Sequence, residues 1–201
     1  MFFKRKTGAV EFMIVGLGNP GVQYQNTRDG TRHNAGFMAL DATAKALGIR
    51  VERARFHAYC GEGVCDGLHV LLMKPQTYMN NSGEAVCEAM RFYKLSADRV
   101  LLLFDDISLP VGGMRVRRSG SAGGQNGVKS ILQLSGSEAF PRIKLGIGAK
   151  PHPDYNLADW VLSRFSEKEL SLMGETAEKA AAAAQLIVSG NIEEAMNRYS
   201  H

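Results

Sequence analysis

The stretch MIVGLGNPGVQY (residues 13–24) decides how the rest of the chain is read. Its first half is apolar enough for a buried strand, and its second half is a turn signal built on Gly16, Gly18, Asn19, Pro20 and Gly21. The glycines stand in G-x-G-x-x-G spacing, the outline of a dinucleotide-binding turn. Such a turn opens straight into a helix whose N-terminus holds the pyrophosphate. Here Gly21 is followed by VQYQNTRDGTR, which is polar, turn-rich and without an apolar stripe. The acid required about 20 residues on would be Asp41, which falls inside a helical pattern rather than at the end of a second strand. The stretch therefore speaks against a nicotinamide or flavin enzyme and leaves its glycines to another use.

Working outward, four apolar runs read as buried strands: Phe12–Gly18, His69–Lys74, Val100–Phe104 and Ile143–Ile147. Helical patterns lie between and after them. Residues 33–47 place His33, Phe37, Leu40, Ala44 and Leu47 on one face, and residues 82–93 and 126–134 add two more helices. Residues 166–189 and 191–199 form a helical tail broken at Gly190. An antiparallel strand is expected within residues 50–62. Strands alternating with helices predict an α/β fold, a single domain with a mixed, mostly parallel central sheet flanked by helices.

Composition narrows the function. Lys and Arg outnumber Asp and Glu by 24 to 20, a charge of +4 that permits a phosphate-bearing partner without requiring one. No run approaches the roughly 20 apolar residues of a membrane helix. The opening MFFKRKTGAVEF has a basic cluster without the apolar region of a secretory signal, so a cytoplasmic protein that does not bind membrane is expected. Cys60, Cys65 and Cys87 form neither an even disulfide set nor a zinc quartet; reduced thiols and no metal are expected.

The chemistry-bearing residues follow the strands. Asn19 follows the first, Asn80 the second and Asp105 the third, while the glycine-rich turn SAGGQNGVKS (121–130) opens a helix with Asn126. Ligands bind in open α/β sheets at those carboxyl ends, so three amides, a carboxylate and His33 converge on one edge. His33 occupies the first turn of its helix, where the dipole is expected to lower its pKa and keep it a neutral general base. Asp105 can hold the other ring nitrogen, and amides can donate to an oxyanion. No serine or cysteine stands in a nucleophile-elbow context, which favours water activated by His33 over a covalent intermediate. Arg115 and Arg117 share one strand face, as do Arg142 and Lys144, a patch suited to nucleic-acid phosphates. The same residues admit plain structural uses: asparagines as turn caps, His33 as a core histidine, the basic faces as solvated edge strands.

From residue 13 onward the chain resembles the bacterial peptidyl-tRNA hydrolases. The resemblance rests on VGLGNPGVQY (15–24), TRHNAGF (31–37), KPQTYMNNSG (74–83), DDISLPVGGMRVR (105–117) and GGQNGVKSI (123–131), supported by RIKLGIG (142–148) and EEAMNRYS (193–200). It implies residues 1–12 as an N-terminal extension, residues 13–201 as one phosphorylase/hydrolase-like domain, a monomer and no cofactor. The implied activity is hydrolysis of the ester joining a peptide to the terminal ribose of tRNA, which returns tRNA dropped early by ribosomes. His33 is then the base and Asp105 its partner, and Asn19, Asn80 and Asn126 hold the peptide carbonyl, the water and the acceptor end. Tyr24 and Met79 line the cleft, Arg117 and Lys144 grip the 5′-phosphate region, and residues 149–160 form a mobile roof. The chain departs from the family at three places. TRDGTRHN (27–34) contains Thr-Arg twice, and either pair is the equivalent one; Gln125 stands for a usual histidine, and Ser108 for a common aspartate. An RNA-binding relative without turnover is the rival reading.

Overall fold

The alternation of apolar runs and helical stripes becomes, in a computed structural model describing residues 9–21 and 30–200, one mixed sheet covered on both faces. The strands are β1 (Phe12–Gly16), β2 (Arg53–Arg55), β3 (Ala58–Cys65), β4 (Leu68–Pro75), β5 (Val100–Asp106), β6 (Met114–Arg117) and β7 (Arg142–Gly146). The helices are α1 (Ala35–Leu47), α2 (Ser82–Tyr93), α3 (Asn126–Ser135), α4 (Leu157–Val161), α5 (Glu167–Val188) and α6 (Ile192–Tyr199). Across the sheet the order is β2-β3-β4-β1-β5-β7-β6. The central β4, β1, β5 and β7 run parallel, with antiparallel pairs at both edges.

The parallel strands are buried on both faces, which is why they read as continuous apolar runs rather than alternating ones. Phe12, Ile14, Leu72, Leu101 and Leu103 meet Leu40 of α1 and Ala180, Ala184 and Ile187 of α5. On the other face Met13, Val15, Leu71, Met73, Leu102 and Phe104 meet Ala85 and Val86 of α2 and Val128 and Ile131 of α3. β1 pairs with β4 and β5, Ile14 facing Leu72 and Leu101, and the chain lays β2–β4 on one side of it and β5–β7 on the other, so β1 is the switch point of the sheet.

The glycines of the opening stretch serve helix–strand packing. A Cβ on Gly16 would run into the Gly36 carbonyl and lie 2.7 Å from Leu40 Cβ. One on Gly36 would strike the Leu103 carbonyl and lie 2.5 Å from that of Leu17. Backbone thus touches backbone where α1 begins, seating the start of that helix over the carboxyl ends of β1 and β5. Gly36→Ala is expected to cost about 1–3 kcal/mol by overpacking. A lowered urea midpoint at unchanged m-value is the expected readout; an unchanged midpoint would contradict this packing.

Element bounds differ from the sequence expectations in two informative places. β1 stops at Gly16, and α1 begins only at Ala35, preceded by a separate 3₁₀ turn over Arg32–Asn34. Residues 50–62 hold β2 and most of β3, a hairpin turning through Phe56 and His57 at φ 53° and 50°. Among the described residues no helix is long and apolar enough to cross a membrane.

Candidate functional site

His33 sits in the 3₁₀ turn held above the end of β5, and its Nδ1 lies 2.8 Å from Asp105 Oδ2. Asp105, only 4% exposed, uses its other oxygen as well: Gln125 Nε2 donates to Oδ1 at 2.9 Å. The Gln125 side chain has no freedom to turn round. It is the N-cap of α3, and its Oε1 accepts the Val128 N–H at 2.8 Å, so its amide nitrogen must face the carboxylate. Gln125 Nε2 also lies 3.1 Å from Met79 Sδ. The carboxylate is therefore aimed from both sides, and the imidazole is left with Nε2 toward a cleft of about 580 Å³.

The direction of the His33 pKa corrects the sequence expectation. Burial opposes the imidazolium, but the Asp105 charge and hydrogen bond favour it more, so the value is raised above its usual 6.5. The expected lowering rested on an α-helix N-terminus, yet His33 belongs to the 3₁₀ turn ahead of α1, with a carboxylate in contact.

Asn19 is buried and works as a staple. Its Oδ1 accepts the Met79 N–H at 2.9 Å, its own N–H donates to Asn34 Oδ1 at 2.8 Å, and its carbonyl accepts from Asn34 Nδ2 at 3.1 Å. With the oxygen engaged, the amide nitrogen is the group Asn19 turns to the cleft. Tyr78 takes a φ of 59° to swing Met79 inward, strain of about 1–3 kcal/mol that the Asn19 bond helps to hold. Met79 is buried in the cleft wall, whereas Asn80 and Asn126 stand exposed at the mouth. Those two also border a shallower depression shared with Glu84 and Lys129.

The basic residues divide. Lys144 lines the cleft and pairs with Asp106 Oδ2 at 3.0 Å. Burial pushes the Asp106 carboxyl up, but bonds from Ser108 and Lys144 outweigh it and hold the value below the usual range. Arg117 lies on edge strand β6, half-buried and outside the cleft lining, its guanidinium bonded to the Val116 carbonyl at 2.8 Å. Arg142, expected on the solvated basic face, is instead 1% exposed. It donates to the carbonyls of Phe140, Ser121 and Glu138, which fixes the base of the glycine-rich loop carrying Gln125. Tyr24 and the Thr27-Arg28 pair lie outside the described residues. Thr31-Arg32 is buried, and Arg32 is tied into the segment after β7.

Leu157, Ala158, Val161 and Leu162 line the cleft, so this side of it extends two residues beyond the 149–160 segment inferred from sequence. Gln125 and Arg32 carry more of the geometry than their sequence positions suggested. Gln125 carried no usual cap signature, since N-caps favour Ser, Thr, Asp or Asn, and its one signal was its place one step before a predicted helix. Arg32 offered none, because its partner Glu169 is 137 positions away. A histidine with an anchored Nδ1, a free Nε2 edge, amide donors and an apolar roof can take a proton from a bound water beside a polarised carbonyl.

The chain matches the model of a family described as peptidyl-tRNA hydrolase over residues 13–201. It is 48% identical over 189 residues to a peptidyl-tRNA hydrolase of Lachnospira eligens, covering 94% of this chain and 99% of that protein. It is 49% identical to one of Caldanaerobacter subterraneus subsp. tengcongensis at the same coverages. The crystal structure of peptidyl-tRNA hydrolase from Acinetobacter baumannii superposes with a TM-score of 0.87 at 33% identity, covering 96% of this chain and 98% of that one.

Proposed function

Since the chain belongs to the peptidyl-tRNA hydrolase family and is a hydrolase, we propose that it cleaves the ester between peptide and tRNA by direct attack of water activated by His33. The observation carrying this reading is the His33–Asp105–Gln125 chain at a cleft whose described lining contains no serine, threonine or cysteine. His33 Nε2 takes a proton from water as the oxygen attacks the ester carbonyl. Asp105 holds Nδ1–H and stabilises the imidazolium, as in a hydrolytic triad. Asn19, Asn80 and Asn126 supply amide donors to the oxyanion and hold the acceptor end. Collapse breaks the carbonyl–ribose oxygen bond, and the imidazolium returns its proton to the leaving ribose oxygen. The products are free tRNA and a peptide carboxylate. An ester expels its alkoxide far more readily than an amide expels an amide anion, which makes direct attack by activated water sufficient.

Lys144 and Arg117 are assigned to tRNA phosphates, and Tyr24 and Met79 to the peptide side of the cleft. Lys144→Ala is expected to weaken tRNA binding across sequences and reduce the slope of log K against log salt by about one; an unchanged slope would remove Lys144 from the RNA contact. In the cell the reaction would return tRNA lost from ribosomes before termination, in the cytoplasm, by a monomer of residues 13–201 behind a short N-terminal extension.

The test is release of the blocked amino acid from an N-blocked aminoacyl-tRNA by the purified protein with no added metal or cofactor. Release supports the reading. Binding of the substrate without release would support an RNA-binding relative that has lost turnover.

A further inference from the structure

Arg32 stands directly before His33, is 5% exposed, and its guanidinium is engaged by residues that flank the roof of the cleft on both sides. Both oxygens of Glu169 accept from its Nη2 at 2.9 Å, Nη1 donates to the Ile147 carbonyl at 3.0 Å, and Nε donates to Ser163 Oγ at 3.1 Å. The same group lies 4.0 Å from the Trp160 ring centroid and 4.7 Å from that of Phe165. The Arg32 N–H adds a bond to the Ser163 carbonyl, and Trp160 Nε1 donates to the Gly148 carbonyl. The roof needs such an anchor. α4 has five residues, too few to persist alone, and its Leu157 and the Leu162 that follows it are 44% and 40% exposed. The clamp acts with the core contacts of Val161 and Phe165 and the Thr31–Arg164 bridge to set how far those apolar side chains stand from the cleft floor.

We propose that Arg32 is a positioning residue, a clamp that sets the height of the α4 roof over the cleft and so governs how tightly the peptide part of the substrate is held. Planarity makes arginine necessary, because lysine cannot serve a carboxylate, a backbone carbonyl and a hydroxyl from three separate nitrogens while also facing the Trp160 and Phe165 rings. Glu169 is the outer jaw. It is held independently by the Ser166 capping box of α5, whose Ser166 N–H and hydroxyl donate to its Oε2, so the clamp is fastened to a 22-residue helix packed on the core.

Trp160 is the one tryptophan of the chain, so its fluorescence reports on the clamp directly. The experiment measures acrylamide quenching of Trp160, and kcat and KM on N-blocked aminoacyl-tRNA, for wild type, Arg32→Lys and Glu169→Gln. Glu169→Gln keeps the arginine and its stacking, which guards against a variant that simply fails to fold. Both variants are expected to raise the quenching constant, and KM by about ten-fold, the scale of a lost charge-assisted pair. kcat and the acid limb of the pH profile should stay in place. A lowered Tm with quenching and KM unchanged would overturn the proposal, leaving Arg32 a plain structural residue. A fall in kcat or a moved acid limb with KM unchanged would also overturn it, because the arginine would then act on His33 and not on the roof. The kinetic arm rests on the hydrolase reading and the quenching arm does not: absence of turnover in wild type defeats that reading, and quenching alone then decides the clamp.

Discussion

Replacing His33 by alanine is expected to lower kcat on N-blocked aminoacyl-tRNA by about 10²–10⁴-fold, the range of a positioned general base, with KM little changed. The ring makes its described bond to Asp105, not to the roof or the basic residues, so its loss should spare binding. What remains should be catalysis from the amide donors and from orientation alone. Equal rates for the variant and wild type would remove His33 from the reaction, and a KM effect without a kcat effect would make it a binding residue.

Asp105→Asn is expected to be nearly as severe, for a reason specific to this chain. Gln125 points its amide nitrogen at Asp105 Oδ1, because its oxygen is committed to the Val128 N–H. An asparagine at position 105 would keep its oxygen toward Gln125 and turn its NH₂ to His33 Nδ1. The imidazole would then have to accept at Nδ1 and carry its proton on Nε2, the tautomer that cannot take a proton from water. A loss of about 10³–10⁴-fold in kcat follows by analogy with the same change in a hydrolytic triad. Releasing that orientation with Gln125→Ala in the Asp105→Asn background should restore part of the rate. A double variant no faster than the single one would count against this account of Gln125.

Much of this arrangement was legible before the fold. The continuous apolar runs gave the parallel strands, since burial on both faces leaves no alternation to confuse the reading. The residues after those runs gave Asn19, Asn80 and Asp105, because carboxyl ends of parallel strands share one edge. What stayed hidden depended on contacts distant in sequence. Arg142 looked like its neighbour Lys144, and only the carbonyls of Ser121, Phe140 and Glu138 turn it inward. The direction of the His33 pKa was not legible from its place at a helix start, because it is set by burial, which lowers it, and by the charge and hydrogen bond of Asp105 at 2.8 Å, which together outweigh burial. The packing use of Gly16 and Gly18 could not be read from the stretch itself, because their partners Gly36 and Phe37 lie on α1.

The raised His33 pKa also fixes two signs. As a base the ring must be neutral, so activity is lost as pH falls through the raised value. Stability behaves in the opposite sense: the contribution of the His33–Asp105 pair is full below the unfolded value near 6.5 and disappears as pH rises through the folded one. The most direct measurement is an NMR titration of the His33 ring set beside the pH profile of kcat/KM. A single shared midpoint above 6.5 is the expected result. A ring midpoint at or below 6.5, or a rate limb that does not coincide with it, would contradict the assignment of His33 as the base held by Asp105.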